Sequence, residues 1–283
     1  MSELIEIARD VAALRGQVAI WRAAGARIAL VPTMGALHDG HLSLVAAGKA
    51  RADRIIMSIF VNPTQFAPSE DFGAYPRTFV QDVAAFAAAG GDLVFAPEIG
   101  EVYPPGFATK VSLEGPATAG LEDKFRPDHF AGVATVVAKL LIMAKPDVAI
   151  FGEKDYQQLA VIRQMARDLN LESEIVGAPT VRAEDGLALS SRNVYLTPDG
   201  RAKAPLLHAA LEHCRMAISS GVAIDAAVAK AEATLAAAGF AVDYVAARHA
   251  ETLAPMASAA EGPIRLLAAA RLGTTRLIDN IAI

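Results

Sequence analysis

The sequence predicts an α/β protein, a doubly wound parallel sheet followed by a smaller α+β unit. Three observations predict it: short apolar runs of strand length alternate with helical stretches up to residue 176, that rhythm stops past Gly177, and three strand-like runs close the chain without long helices between them. Apolar strands separated by helices of this length form parallel sheets covered on both faces. The expected division is a first unit, 1–176, and a second, 177–283.

In chain order, residues 3–24 place Leu4, Ile7, Val11, Leu14, Val18 and Trp21 three and four apart, the stripe of an amphipathic helix, with Gly25 as its stop. Residues 27–31 form an apolar strand closed by Pro32, followed by a glycine-containing turn and a helix at 40–51. A strand at 54–61, a helix at 78–89, a strand at 92–95 and a helix at 129–145 continue the pattern. A strand at 147–151, a helix at 154–168 and a strand at 172–176 complete the first unit. Thr197 then caps a helix with Pro198 in its first turn, and Ala-rich helices run to about Ala238. Strands are expected at 241–246, 264–270 and 276–283. The architecture is Rossmann-like, and such sheets bind ligands beyond the carboxyl ends of their strands. The unusual polar residues lie there, after Val31, Val61 and Phe151. No repeat or long linker separates the units, so they are expected to share a cleft.

Composition narrows the function classes. With 283 residues, 53% of them hydrophobic and 20% charged, the chain has enough apolar surface to fold as a globular protein. A formal charge of −5 lacks the basic excess of proteins that live on polyphosphate backbones, so no nucleic-acid partner is expected. Cys214 is the single cysteine, which excludes an intrachain disulfide and a Cys-rich zinc site and suits a reducing compartment. The first ten residues carry acids where an export signal carries bases. The most apolar stretch, 132–144, contains Lys139 and falls short of the roughly 20 residues that span a bilayer. A cytoplasmic location without a membrane partner is the expectation.

Three segments carry chemistry. In Pro32-Thr-Met-Gly-Ala-Leu-His38-Asp-Gly-His41, Gly35 and Gly40 allow close backbone approach, and the helix amino terminus offers free N–H groups and a positive dipole end to phosphate. His38 and His41, beside that anion site, can donate hydrogen bonds to a phosphoryl group, and a protonated ring can assist pyrophosphate departure. A metal-binding His pair is discounted because no further His or Cys cluster completes a site. In Phe151-Gly-Glu-Lys154-Asp-Tyr-Gln-Gln158, Gly152 permits close approach, Lys154 supplies a mobile charge, and Gln158 follows one helical turn later; an ordinary polar first turn is the alternative. In Gly186-Leu-Ala-Leu-Ser190-Ser-Arg192-Asn193, two hydroxyls and an arginine suit a lid that clamps a triphosphate, or a solvated turn. Gln65, in Asn62-Pro-Thr-Gln65-Phe66, has a donor and an acceptor for a hydroxy acid. Tyr75-Pro-Arg-Thr78 caps the helix holding Asp82, a carboxylate placed for Mg²⁺ or for a solvated face. Arg126 and His129 border the same cleft.

These segments, in this order, resemble the pantothenate synthetase family, within the nucleotidyltransferase superfamily that shares a His-x-Gly-His motif. The likeness runs from about Leu30 to the terminal Arg271-Leu-Gly-Thr-Thr-Arg-Leu-Ile-Asp-Asn280. The resemblance implies a ligase that joins (R)-pantoate to β-alanine through a pantoyl-adenylate, consuming ATP and releasing pyrophosphate and AMP. It implies that Met34, Gly35, Ala36, Leu37, His38, Asp39, Gly40 and His41 line the ATP site, with His41 as proton donor and His38 its transition-state partner. Gly152, Glu153, Lys154, Asp155, Val181, Leu189, Ser190, Ser191 and Arg192 would complete that site. Lys154 of the first unit would share in catalysis, as would Ser190, Ser191 and Arg192 from a lid formed by the second unit. Gln65 and Gln158 would bind pantoate, Gln65 also β-alanine, and Asp82 would serve Mg²⁺. A homodimer is implied by analogy. Two departures stand out: Thr64 and Leu189 each occupy a place where methionine is expected, and neither removes a proposed chemical group. The alternatives are another nucleotidyltransferase with a nucleotide conjugate as its product, and a catalytically silent nucleotide-binding module.

Overall fold

Six strands form one parallel sheet in the computed structural model of the protein, which describes residues 5–66 and 72–283. They are β1 (Glu6–Ala8), β2 (Ile28–Thr33), β3 (Arg54–Ile59), β4 (Leu93–Phe95), β5 (Val148–Gly152) and β6 (Glu174–Ala178), in the order β1-β4-β3-β2-β5-β6. The helices of this unit are α1 (Val11–Ala23), α2 (Asp39–Lys49), α3 (Phe79–Ala88), α4 (Ile99–Val102), α5 (Glu122–Phe125), α6 (His129–Ala144) and α7 (Tyr156–Asp168). One core joins Leu14, Val18 and Trp21 of α1 to Val133, Val137 and Leu140 of α6. The core on the opposite face holds Leu44 and Val45 of α2 and Phe86 of α3. Two apolar faces explain why the strands are buried on both sides.

The strand order positions the site. β2 lies between β3 and β5, so the turns after β2, β3 and β5 are neighbours at one edge of the sheet. β2 pairs with β3 over six positions but with β5 over two, Ala29 with Val148 and Leu30 with Ala149. The sheet order reverses at that junction, where the strands part and a crevice opens beyond their carboxyl ends.

The smaller unit contains α8 (Pro198–Lys203), α9 (Leu206–Ser219), α10 (Ile224–Ala237) and an antiparallel sheet of β7 (Ala241–His249), β8 (Ile264–Leu272) and β9 (Thr275–Ala282). Thr197 caps α8 as expected, its hydroxyl oxygen accepting from Gly200 N–H at 3.1 Å. Leu207, Leu211 and Leu235 of α9 and α10 pack on Leu266 and Leu277 of the sheet.

Two expectations change. The helix expected over 3–24 begins at Val11, because Asp10 accepts from Ala13 N–H at 2.7 Å and caps it there. Glu6–Ala8 instead pair with Leu93–Phe95, giving β4 a partner along an otherwise open edge; Leu4 lies outside the described residues. The strand expected over 172–176 runs on, since Gly177 and Ala178 continue β6 opposite Phe151 and Gly152. Among the described residues, no helix is long and apolar enough to cross a membrane.

Candidate active site

The turn after β2 is shaped from below. Thr33 Oγ1 donates to the Ser58 carbonyl at 2.7 Å and accepts from Gly35 N–H at 3.3 Å. Gly35 has a φ of +83°, and a Cβ there would stand 2.9 Å from Asp82 Oδ2, so no other residue fits the bend. Ala36 follows with a φ of +52°. α2 then starts with His38 as its cap: His38 Nδ1 accepts from Gly40 N–H at 3.1 Å, and His41 Nδ1 accepts from His38 N–H at 3.3 Å.

This reciprocal cap, usually made by Ser or Thr with Glu or Gln, is made here by two imidazoles whose ring centres lie 4.1 Å apart. Because each Nδ1 accepts, each ring carries its proton on Nε2. Burial, followed by the His38 and Lys154 charges, pushes the His41 pKa down to about 3. Burial and Lys154 lower that of His38 as well. Both shifts favour uncharged rings at neutral pH, each an N–H donor through Nε2. Gly40 has a local role too: a Cβ would lie 2.7 Å from His38 Cε1 and displace the capping ring.

Beyond β5, Glu153, Lys154 and Asp155 form a tight 3-10 turn ahead of α7. The smaller unit grips that turn, Asn280 Nδ2 donating to the carbonyls of Glu153 at 2.9 Å and Lys154 at 2.8 Å. Lys154 Nζ lies 3.9 Å from the half-exposed carboxylate of Asp155. Desolvation opposes its ionisation, but Lys154, Arg192, His129 and Arg126 together hold its pKa below the usual carboxylate range.

Gln65 follows β3 in a connected network. Buried Asn62 donates through Nδ2 to Gln65 Oε1 at 3.1 Å and to the Gly132 carbonyl at 3.3 Å. Its Oδ1 accepts from Tyr103 OH at 2.8 Å and Thr64 Oγ1 at 3.0 Å. Thr64 is thus a working member of the network, where a methionine would offer no donor. Gln65 Nε2 lies 3.0 Å from Met34 Sδ, and Arg126 and His129 reach the Gln65 carbonyl at 3.2 and 2.9 Å.

The loop before α8 closes over these turns. Leu189 N–H donates to the Val181 carbonyl at 3.0 Å, and Ser191 Oγ donates to the Ala36 carbonyl at 3.0 Å. A second junction between the units lies at Glu122, whose carboxylate takes two hydrogen bonds from Arg276, at 2.5 and 2.8 Å, and one from Tyr244 at 2.8 Å. Against burial, these bonds hold Glu122 below its usual pKa.

The family model for pantoate–β-alanine ligase matches residues 6–282. The chain belongs to the pantoate–β-alanine ligase family. It is 58% identical over its whole length, and the whole of the relative, to the pantothenate synthetase of Bradyrhizobium sp. strain BTAi1, and 59% identical, again end to end, to pantothenate synthetase 2 of Bradyrhizobium diazoefficiens. The crystal structure of pantothenate synthetase from Thermus thermophilus superimposes with a TM-score of 0.90 at 47% identity, covering 98% of this chain and 99% of that one. A pantoate–β-alanine ligase from Francisella tularensis, complexed with β,γ-ATP and β-alanine, gives a TM-score of 0.79 at 34% identity, over 98% and 97% of the two chains.

In this member of the ligase family, a cavity of about 230 Å³ gathers most of the residues singled out in the sequence. Met34, His38, Gly40 and His41 line it from α2 and the turn before it, and Gln65 from the loop after β3. Gly152, Lys154, Asp155 and Gln158 line it from β5 and α7, and Val181, Leu189, Ser190, Ser191 and Arg192 from the closing loop. A Cβ at Gly152 would meet nothing within 4 Å, which leaves that wall open to a ligand. Six expected residues do not line it. Gly35, Ala36 and Leu37 form the turn beneath it, Asp39 points to solvent, and Glu153 turns to Arg265 at 3.1 Å. Asp82 is 3% exposed and occupied by three donors, so it does not fit direct Mg²⁺ ligation. Among the described residues no three His, Cys, Asp or Glu converge on a metal site. Thr78, expected as a cap, makes no capping bond and donates to Asp82 instead.

Sequence reasoning missed Asn62, Tyr103, Glu122, Arg276 and Asn280. The last two stood in the terminal motif without a role, and no local signal pointed to their partners.

Proposed function

We propose that the cavity carries out both half-reactions of the family's ligation at the residues just described. Pantoate, held by Gln65 and Gln158, attacks the α-phosphorus of ATP through a carboxylate oxygen. The bond from that phosphorus to its bridging oxygen breaks, and pyrophosphate leaves with the electron pair. His38 and His41 donate hydrogen bonds from Nε2–H to phosphoryl oxygens as charge builds, and Lys154 adds a positive charge there. Hydrogen bonds from such donors gain strength where a bound ligand excludes water.

In the second step the β-alanine amine attacks the acyl carbon of the pantoyl-adenylate. The acyl C–O bond breaks, AMP departs, and the amine loses its proton as the amide forms. Ser190, Ser191 and Arg192 close on the phosphates from the second unit, Arg192 with the forked donor set that suits them. Mg²⁺ belongs to the proposal only through the resemblance; no ligand for it is assigned to this chain. A homodimer and a cytoplasmic location are proposed on the same basis, and sedimentation equilibrium tests the first.

The convergence of the paired imidazoles, Lys154 and the two glutamines in one cavity carries this reading. The test is formation of AMP and amide from ATP, Mg²⁺, (R)-pantoate and β-alanine, omitting each in turn. Dependence of both products on both acids and ATP supports it. A nucleotide conjugate without amide would indicate another nucleotidyl transfer, and ATP binding without product a silent module.

A further inference from the structure

Asp82 is the acid that the resemblance offers to Mg²⁺, and its carboxylate is engaged elsewhere. From α3 it reaches the turn after β2, where Oδ2 accepts from Ala36 N–H at 3.0 Å and Oδ1 from Leu37 N–H at 2.8 Å. Thr78 Oγ1, one helical turn back, donates to Oδ1 at 3.1 Å and holds the carboxylate in place. At 3% exposure the side chain lies outside the lining of the cavity.

The turn it grips needs an outside hold. Gly35 and Ala36 both have positive φ, a region that alanine rarely adopts. Successive backbone N–H groups in such a bend converge on one point and form a concavity for an anion. Here the protein fills that concavity with its own carboxylate. His38 follows directly as the helix cap, and its position sets that of His41 through the reciprocal bonds. The opposite side of the same residue is also engaged, because the Ala36 carbonyl accepts from Ser191 of the closing loop at 3.0 Å. One carboxylate thus grips the turn that leads into the two imidazoles and that the closing loop touches.

We propose that Asp82 is a positioning residue for adenylate formation, fixing the 35–37 turn that aims His38 and His41, and is not a ligand of Mg²⁺. The inference rests on the reading of that turn as the nucleotide site.

Asp82→Asn tests it, because the amide replaces one of the two acceptors with a donor that faces a backbone N–H. The single-turnover rate of adenylate formation should fall about 10- to 100-fold, the scale of a small misplacement of reacting groups. The pantoate KM and the half-saturating Mg²⁺ concentration should not move. Amide hydrogen exchange should quicken at Ala36 and Leu37, a readout independent of activity. Thr78→Val, which keeps the carboxylate and removes its anchor, should shift rate and exchange the same way by several-fold, and carries the test if Asp82→Asn does not fold. A loss that excess Mg²⁺ reverses, wild-type adenylation in both variants, or unchanged exchange at Ala36 and Leu37 overturns the proposal. Absence of adenylate with the wild-type enzyme would instead remove the functional reading, leaving the exchange data to judge the turn.

Discussion

Ser191 Oγ donates to the Ala36 carbonyl at 3.0 Å, joining the closing loop of the second unit to the turn after β2 of the first across 155 positions of sequence. A single hydrogen bond of this kind contributes about 0.5–1.5 kcal/mol net. Ser191→Ala should therefore lower the rate of adenylate formation about two- to tenfold while leaving the pantoate KM unchanged, as read by pyrophosphate release at saturating ATP. An unchanged rate would show that the loop docks without this bond.

The Glu122–Arg276 pair should matter for stability more than for chemistry. Both side chains are nearly buried, at 10% and 15% exposure. Removing one member of a buried pair leaves an uncompensated charge, at a cost of about 3–5 kcal/mol. Arg276→Ala should show that loss in urea unfolding. Glu122 has a depressed folded pKa, so the pair's contribution is present above the unfolded value near 4.5 and fades as pH falls below it. A loss no larger than that of an exposed pair, below about 1 kcal/mol, would mean that the junction opens freely to water.

His41 sets a different pH dependence. Its folded pKa of about 3 lies below the unfolded value of 6.5, so between those values the unfolded chain takes up a proton that the folded chain refuses. The contribution is complete above pH 6.5 and is lost progressively as pH falls toward 3. Replacing His41 with Gln should flatten the stability curve over that window relative to wild type. Parallel curves for the two proteins would show that the ring accepts a proton in the folded state.

Thr64→Val preserves shape and removes the hydroxyl that Asn62 Oδ1 accepts at 3.0 Å. Asn62 holds Gln65, so the pantoate KM should rise about two- to tenfold with little change in kcat, the scale of one lost hydrogen bond. Steady-state kinetics with varied pantoate decides this, and an unchanged KM would assign the orientation of Gln65 to Tyr103 and Gly132.

Periodicity alone led to the α/β class, most strand and helix positions, the change of rhythm near residue 177 and the placement of the chemistry after β2, β3 and β5. These features arise from neighbours in sequence: apolar spacing, glycine turns and caps act within one or two turns of chain. The His38/His41 pair was legible for that reason, since both residues belong to one helix start. The start of α1 was not, because Asp10 and the pairing of residues 6–8 with β4 outweighed an apolar stripe that ran on past them.

What only the tertiary structure decided depends on contacts between distant segments. Asp82 meets Ala36 across 46 positions, Glu122 meets Arg276 across 154, and Asn280 reaches Lys154 across 126. Sequence supplied the carboxylate and the imidazoles, but only packing could turn the carboxylate onto backbone N–H groups. The same packing half-buried His41, and that desolvation favours its neutral form. Hydrogen bonds and desolvation act over a few ångströms of space, and the fold alone sets which residues share them.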